Sequence, residues 1–180
     1  MALVAKTGRM PTVDEVASRA GVARRSVFRY FDGVEALEVE TAHAMRALMN
    51  EQVPPPDARG SLEERLDALV RHRAQLYDRL TPIRRFLDAA RQRGNPAFDS
   101  LVDGGRKLLV QQLRTVLKPE LAHNARLQPV LELVTSWEAW VALREGQRRS
   151  AASARQIMRE ALKALLSAKA TSRGRVARSR

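Results

Sequence analysis

The chain has 180 residues, 44% of them hydrophobic, which is enough to bury a core and excludes both a mini-protein and a disordered chain. Its 32 Lys and Arg against 20 Asp and Glu leave a formal net charge of +12, which favours an anionic partner, either nucleic acid or an anionic membrane surface. Without cysteine there is no disulfide framework, thiolate metal site or cysteine nucleophile, and no run approaches the roughly 18 apolar residues of a bilayer span.

Residues 1–10 lack the apolar stretch of a signal peptide, so a soluble, cytoplasmic protein without a membrane partner is expected. From there on, apolar residues recur at helical spacing and strand-like alternation is hard to find, so the fold class is all-α. Capping-box spacing marks helix starts at Thr12 with Glu15, Asp32 with Glu35 and Ser61 with Glu64, and Asn95-Pro96 marks another. Breakers stand at Gly21, Asp32-Gly33, Pro54-Pro55-Pro56, Gly60, Gly94, Pro119 and Gly146.

The first informative segment begins at Thr12 and reads TVDEVASRAGVARRSVFRYF. Val13, Val16, Ala17 and Ala20 form one apolar stripe of small residues, which permits close helix packing. Gly21 comes next, where the chain leaves the helix through a left-handed conformation, and Val22 is expected to plug the corner. In the next short helix Val27 and Phe31 face the stripe, leaving Arg24, Arg25, Ser26 and Arg29 outside. An ordinary helical hairpin with a solvated basic face would show the same split of charge and core. The small stripe, Gly21 and Val22 together favour a helix-turn-helix for double-stranded DNA, in which arginine forks reach guanine edges and phosphates in the major groove.

At these residues the chain resembles the TetR family of bacterial transcriptional regulators. The matches are Thr12, Val16-Ala17, Ala20-Gly21-Val22, Ser26, Val27, Tyr30, Phe31, Glu35 and Leu37. The resemblance implies a DNA-binding domain over 1–44, a helical effector-binding and dimerisation domain over 45–168, and no catalytic activity or cofactor. It places Ser26, Arg24, Arg25 and Arg29 near bases and gives Thr12 and Tyr30 to phosphates. Phe28 is also counted on the DNA face, although it lacks the hydroxyl of the tyrosine often found there. Further departures are Ala23 for a capping serine or threonine, Arg25 for a small residue and Val34 for a lysine. Only Ala2 to Thr7 precede Gly8, too few for the family's first helix, so a start upstream of Met1 or a shortened chain is expected.

Beyond the motif, residues 37–53, 62–80, 83–93, 97–117, 127–145 and 151–168 each have the pattern of an amphipathic helix. The last two resemble the family's dimerisation pair, with Trp140 and Leu143 on one and Ile157, Ala161 and Leu165 on the other. A homodimer reading a palindrome with half-sites roughly 34–36 Å apart, or more, is the consequence of that pairing. Tyr77, Phe86, Phe98 and Trp137 are the candidates for a small-molecule effector site, with core packing as the favoured alternative. His43, His72 and His123 lack carboxylate company for a metal, and no Ser, His and acid constellation declares itself. Glu63, Glu64 and Arg65 read as a solvated helix face.

The tail, 169–180, is basic and expected to be disordered. Its Arg173, Arg175, Arg178 and Arg180 either solubilise the chain or add phosphate contacts without sequence preference. The rival reading of the whole is a basic helical protein-interaction or membrane-surface module without operator specificity.

Overall fold

The computed structural model describes residues 12–92 and 96–168, and every element among them is a helix. In chain order these are α1 (Val13–Ala20), α2 (Arg24–Tyr30), α3 (Gly33–Gln52), α4 (Leu62–Gln92), α5 (Pro96–Val116), α6 (Lys118–His123), a 3-10 turn (Ala125–Leu127), α7 (Gln128–Val134), α8 (Trp137–Val141), a π turn (Ala142–Gly146) and α9 (Ala151–Ser167). None of the described helices is long and apolar enough to cross a membrane. The tail at 169–180 and the residues before Thr12 lie outside the described residues, as do the side chains of Phe86 and Phe98.

Two of the expected starts carry complete capping boxes. The Thr12 hydroxyl accepts from the Glu15 N–H at 3.3 Å while the Glu15 carboxylate accepts from the Thr12 N–H at 2.8 Å. Ser61 and Glu64 repeat the arrangement at the head of α4, at 3.3 and 2.8 Å. Each box satisfies donors that a helix start otherwise leaves unpaired.

Elsewhere the helices run differently from the expected segments. The sequence pattern predicts a break between Leu80 and Ile83, but α4 continues through Pro82. A proline inside a helix removes one backbone bond and costs about 3 kcal/mol. Burial of Ile83 and Leu87 beyond it gives the continued helix a packed face. Conversely, the single helix expected over 127–145 is interrupted. The Thr135 hydroxyl donates back to the Leu131 carbonyl at 2.8 Å, and Ser136 caps α8 by accepting from the Ala139 N–H at 3.1 Å.

The described residues form two compact units, one of 12–53 with 78–92 and 96–107 and one of 54–77 with 108–168, so that α4 and α5 each supply a stretch to both. In the second unit, Leu66, Leu69, Tyr77, Leu113, Leu117, Leu131, Trp140, Met158 and Leu162 are all fully buried. The Tyr77 hydroxyl donates to the Thr135 carbonyl at 2.7 Å, which satisfies the polar end of a buried ring.

Basic residues are built into this core. Arg65, expected on a solvated face, is buried and forms a two-pronged ion pair with Glu120 at 2.6 and 2.9 Å, with a further bond to the Val116 carbonyl. Its neighbour Glu63 pairs with Arg159 at 2.5 Å and Lys163 at 2.7 Å, tying α4 to α9. The Arg65 guanidinium holds the Glu120 carboxyl below its ordinary range.

Burial, with the adjacent Arg73 charge, lowers His72 from 6.5 to about 4. The unfolded chain therefore takes up this proton before the folded one as pH falls. The His72 site contributes no pH dependence above about 6.5, and stability is lost from there down to about 4. Urea midpoints of the parent chain should fall between about pH 7 and 5, and His72→Gln should flatten that slope, whereas the Glu120 contribution is lost only at lower pH.

Candidate nucleic-acid interface

The turn between α1 and α2 is fixed by backbone geometry. Gly21 has φ +65°, in the left-handed region, its N–H donates to the Ser18 carbonyl at 3.3 Å, and the Val22 N–H donates to the Ala17 carbonyl at 3.0 Å. This pair of bonds is a Schellman closure, which satisfies the last carbonyls of α1 and turns the chain sharply. A Cβ at Gly21 would meet no atom within 4 Å, so the demand for glycine is conformational, not steric.

Val13, Ala17, Val27 and Leu37 then form one buried cluster, with Val16 and Phe31 packed against it. The stripe is narrower than expected, because Ala20 is exposed, and Val22, expected to plug the corner, is 43% exposed. Leu37 of α3 supplies the third side of the cluster.

A helix of α2's 7 residues has little stability of its own, and Val27 is its single buried side chain. Ala23 precedes it in the extended conformation of a helix cap, φ −69° and ψ 147°, but offers no side-chain acceptor. The rest of α2 faces outward. Arg25 and Arg29 are exposed, Ser26 is half-buried, Phe28 is 41% exposed and Tyr30 72% exposed. The Arg29 guanidinium lies 5.3 Å from the Tyr30 ring centre. Arg24 lies 5.8 Å from the Phe28 ring and also pairs with Asp14 of α1 at 3.2 Å, so its charge is partly answered within the chain. No described carboxylate pairs with Arg25 or Arg29.

Thr12, expected at a phosphate, commits its hydroxyl to the Glu15 box, accepting from the Glu15 N–H and donating to its carboxylate at 3.3 Å. Asp14 is the residue that sequence reasoning missed. Its ion pair with Arg24 spans the turn, and an acidic residue in the first turn of one helix gave no sign of a partner on the next.

The candidates for effector and dimer contacts scatter. Tyr77 and Trp140 are fully buried and Leu143 nearly so, within the second unit. Trp140 and Leu143, expected at a dimer interface, are thus taken up by the protomer's own core. Trp137 is half-buried, as are Ile157, Ala161 and Leu165 on α9. The exposed apolar side chains of this unit include Val130 at 41% and Leu133 at 66%, both on α7. No group of three or more His, Asp or Glu among the described residues is placed to hold a metal ion. No protein-family model, curated protein or solved structure matches the chain.

Two substitutions at the turn should act in opposite directions. Ala23→Ser supplies the missing acceptor and should raise stability by about 1 kcal/mol. Gly21→Ala places a Cβ on left-handed backbone and should lower it by about 1–2 kcal/mol. Urea unfolding of the two variants checks both signs.

Proposed function

We propose that this chain is a sequence-specific DNA-binding transcriptional regulator without catalytic activity, of the kind its helix-turn-helix resembles, the TetR family. The observation that carries the reading is the division of labour on α2. One side chain, Val27, anchors it, while Arg25, Arg29, Phe28 and Tyr30 stand exposed after a tight left-handed turn. A supported short helix with its arginines outward has the chemistry to enter a major groove, where the arginine fork reads guanine and its charge displaces counterions from phosphates.

The regulator works as a homodimer on a palindromic operator, because one short helix grips few phosphates and linking two multiplies the effective affinity. Val130 and Leu133 on α7, with the half-buried Ile157, Ala161 and Leu165 on α9, offer the apolar surface for a second copy. A small-molecule effector alters operator affinity by binding two states of the dimer unequally.

Electrophoretic mobility shift on duplexes selected from random DNA tests the reading. The parent chain should retard a selected duplex more strongly than random ones. Arg25→Ala and Arg29→Ala should each weaken selected binding by about fivefold to a hundredfold, in line with roughly 1–3 kcal/mol per base-reading arginine. Arg59→Ala, on a loop arginine paired with Asp57, should leave it unchanged. Absence of any shift, or equal affinity for every duplex, would favour the protein-interaction or membrane-surface module and overturn the proposal.

A further inference from the structure

Two arginines are buried on the first half of α4, and their surroundings differ. Arg65 is neutralised by Glu120. Arg73, 1% exposed, has no carboxylate partner among the described residues. Its Nη1 donates to the Gln112 Oε1 at 2.7 Å and stands 3.3 Å from the His72 Nδ1, and its Nη2 donates to the Leu109 carbonyl at 2.7 Å. Its Nε–H is buried and meets no acceptor.

A guanidinium cannot shed its charge at any ordinary pH, so burial leaves a full cation answered only by neutral dipoles. His72 does not help, since it is kept neutral by the same burial. Buried charges are otherwise paired, and a guanidinium left with a free N–H in the core is a site prepared for an acceptor that carries negative charge. The fork geometry selects a planar two-oxygen anion, which Nε and a terminal nitrogen can hold in parallel.

Neighbours on the same helix face restrict the body to which such an anion is attached. Leu69 and Tyr77 stand one turn before and after Arg73, and Leu113 is next to Gln112 on α5, all of them fully buried. The Tyr77 hydroxyl is already engaged with the Thr135 carbonyl. Beyond the carboxylate the surroundings are therefore apolar.

We propose that Arg73 anchors an internal binding site, between α4 and α5, for a small monocarboxylate with an apolar body. The carboxylate replaces the weaker neutral acceptors Gln112 and Leu109, so its entry parts α5 from α4 at these residues. As the effector site of the regulator this rests on the DNA-binding reading; as a binding site it does not.

Thermal unfolding of the intact chain tests it with hexanoate and benzoate, against hexanol, benzyl alcohol and equimolar sodium chloride. The two acids should raise the Tm by about 2–4 °C at roughly five times their Kd, and further at higher concentration, and the alcohols and chloride should not. Arg73→Met should abolish the acid response while holding or raising the Tm of the unliganded chain, since it removes an unpaired buried cation. Arg65→Met should lower the Tm, because it strands Glu120. Arg73→Lys, which keeps the charge but loses the fork, should retain only part of the response and serves if the Met variant does not fold. Equal shifts from acids and alcohols, or an acid response that survives in Arg73→Met, would overturn the site. The readout contains no DNA, so its failure leaves operator binding standing. An acid response in a chain that retards no duplex keeps the site and removes only its regulatory role.

Discussion

The first half of α4 is buried around more than half of its circumference, and the second unit is organised by that constraint. Arg65, Leu66, Leu69, Val70, His72, Arg73, Ala74 and Tyr77 are all buried. At about 100° per residue they span an arc of roughly 200°, well beyond the stripe of a helix lying on a surface. A helix so enclosed cannot turn its polar residues to water. Each basic residue on the arc must instead find a local solution: Arg65 takes an ion pair, His72 stays neutral, and Arg73 takes two carbonyl oxygens, one from the Gln112 side chain and one from the Leu109 backbone. These three solutions place on α4 a histidine held neutral by burial and a buried cation with no carboxylate partner among the described residues.

The contrast with α2 is one of anchorage. α4 is held by many buried side chains, α2 by Val27 and the backbone turn at Gly21. A helix of 7 residues held at one point is positioned by its neighbours and not by its own propensity. Asp14 adds an exposed tie to Arg24, worth little as stability but directing one arginine toward α1. Arg25 and Arg29 are thereby set apart from Arg24, although the three arginines look equivalent along the sequence.

Local chemistry was legible in the sequence wherever it depends on a few neighbouring residues. The boxes at Thr12 and Ser61, the left-handed glycine at Gly21 and the packing of Val27 and Phe31 are all set by spacing and side-chain type. Features set by partners distant along the chain were not legible. Arg65 looked solvated because Glu120 is 55 residues away, and Trp140 looked available to a second copy because nothing local shows that the protomer encloses it. Pro82 and the Thr135-Ser136 pair show the two ways a helix boundary misleads. Tertiary burial of Ile83 and Leu87 overrides a proline, while side-chain bonds from Thr135 and Ser136 end a helix that periodicity alone would continue.

Net charge becomes informative only when its location is known. An excess of +12 is equally compatible with DNA, a membrane surface or an acidic partner. Many of the described cations are answered internally: Arg65 by Glu120, Arg159 and Lys163 by Glu63, Arg71 by Asp67, Arg84 by Asp88 and Arg59 by Asp57. Arg25 and Arg29 on the exposed side of α2, and Arg73 inside the core, are set apart from these. Their settings are opposite in dielectric, so their anionic partners should be opposite in kind. In water, exposed guanidinium groups gain most from a dense array of phosphates, whose released counterions drive binding. In the core, a single guanidinium gains most from one desolvated carboxylate whose remaining surface is apolar. The two proposals, nucleic acid outside and an organic acid inside, follow from the same residue type placed in two environments.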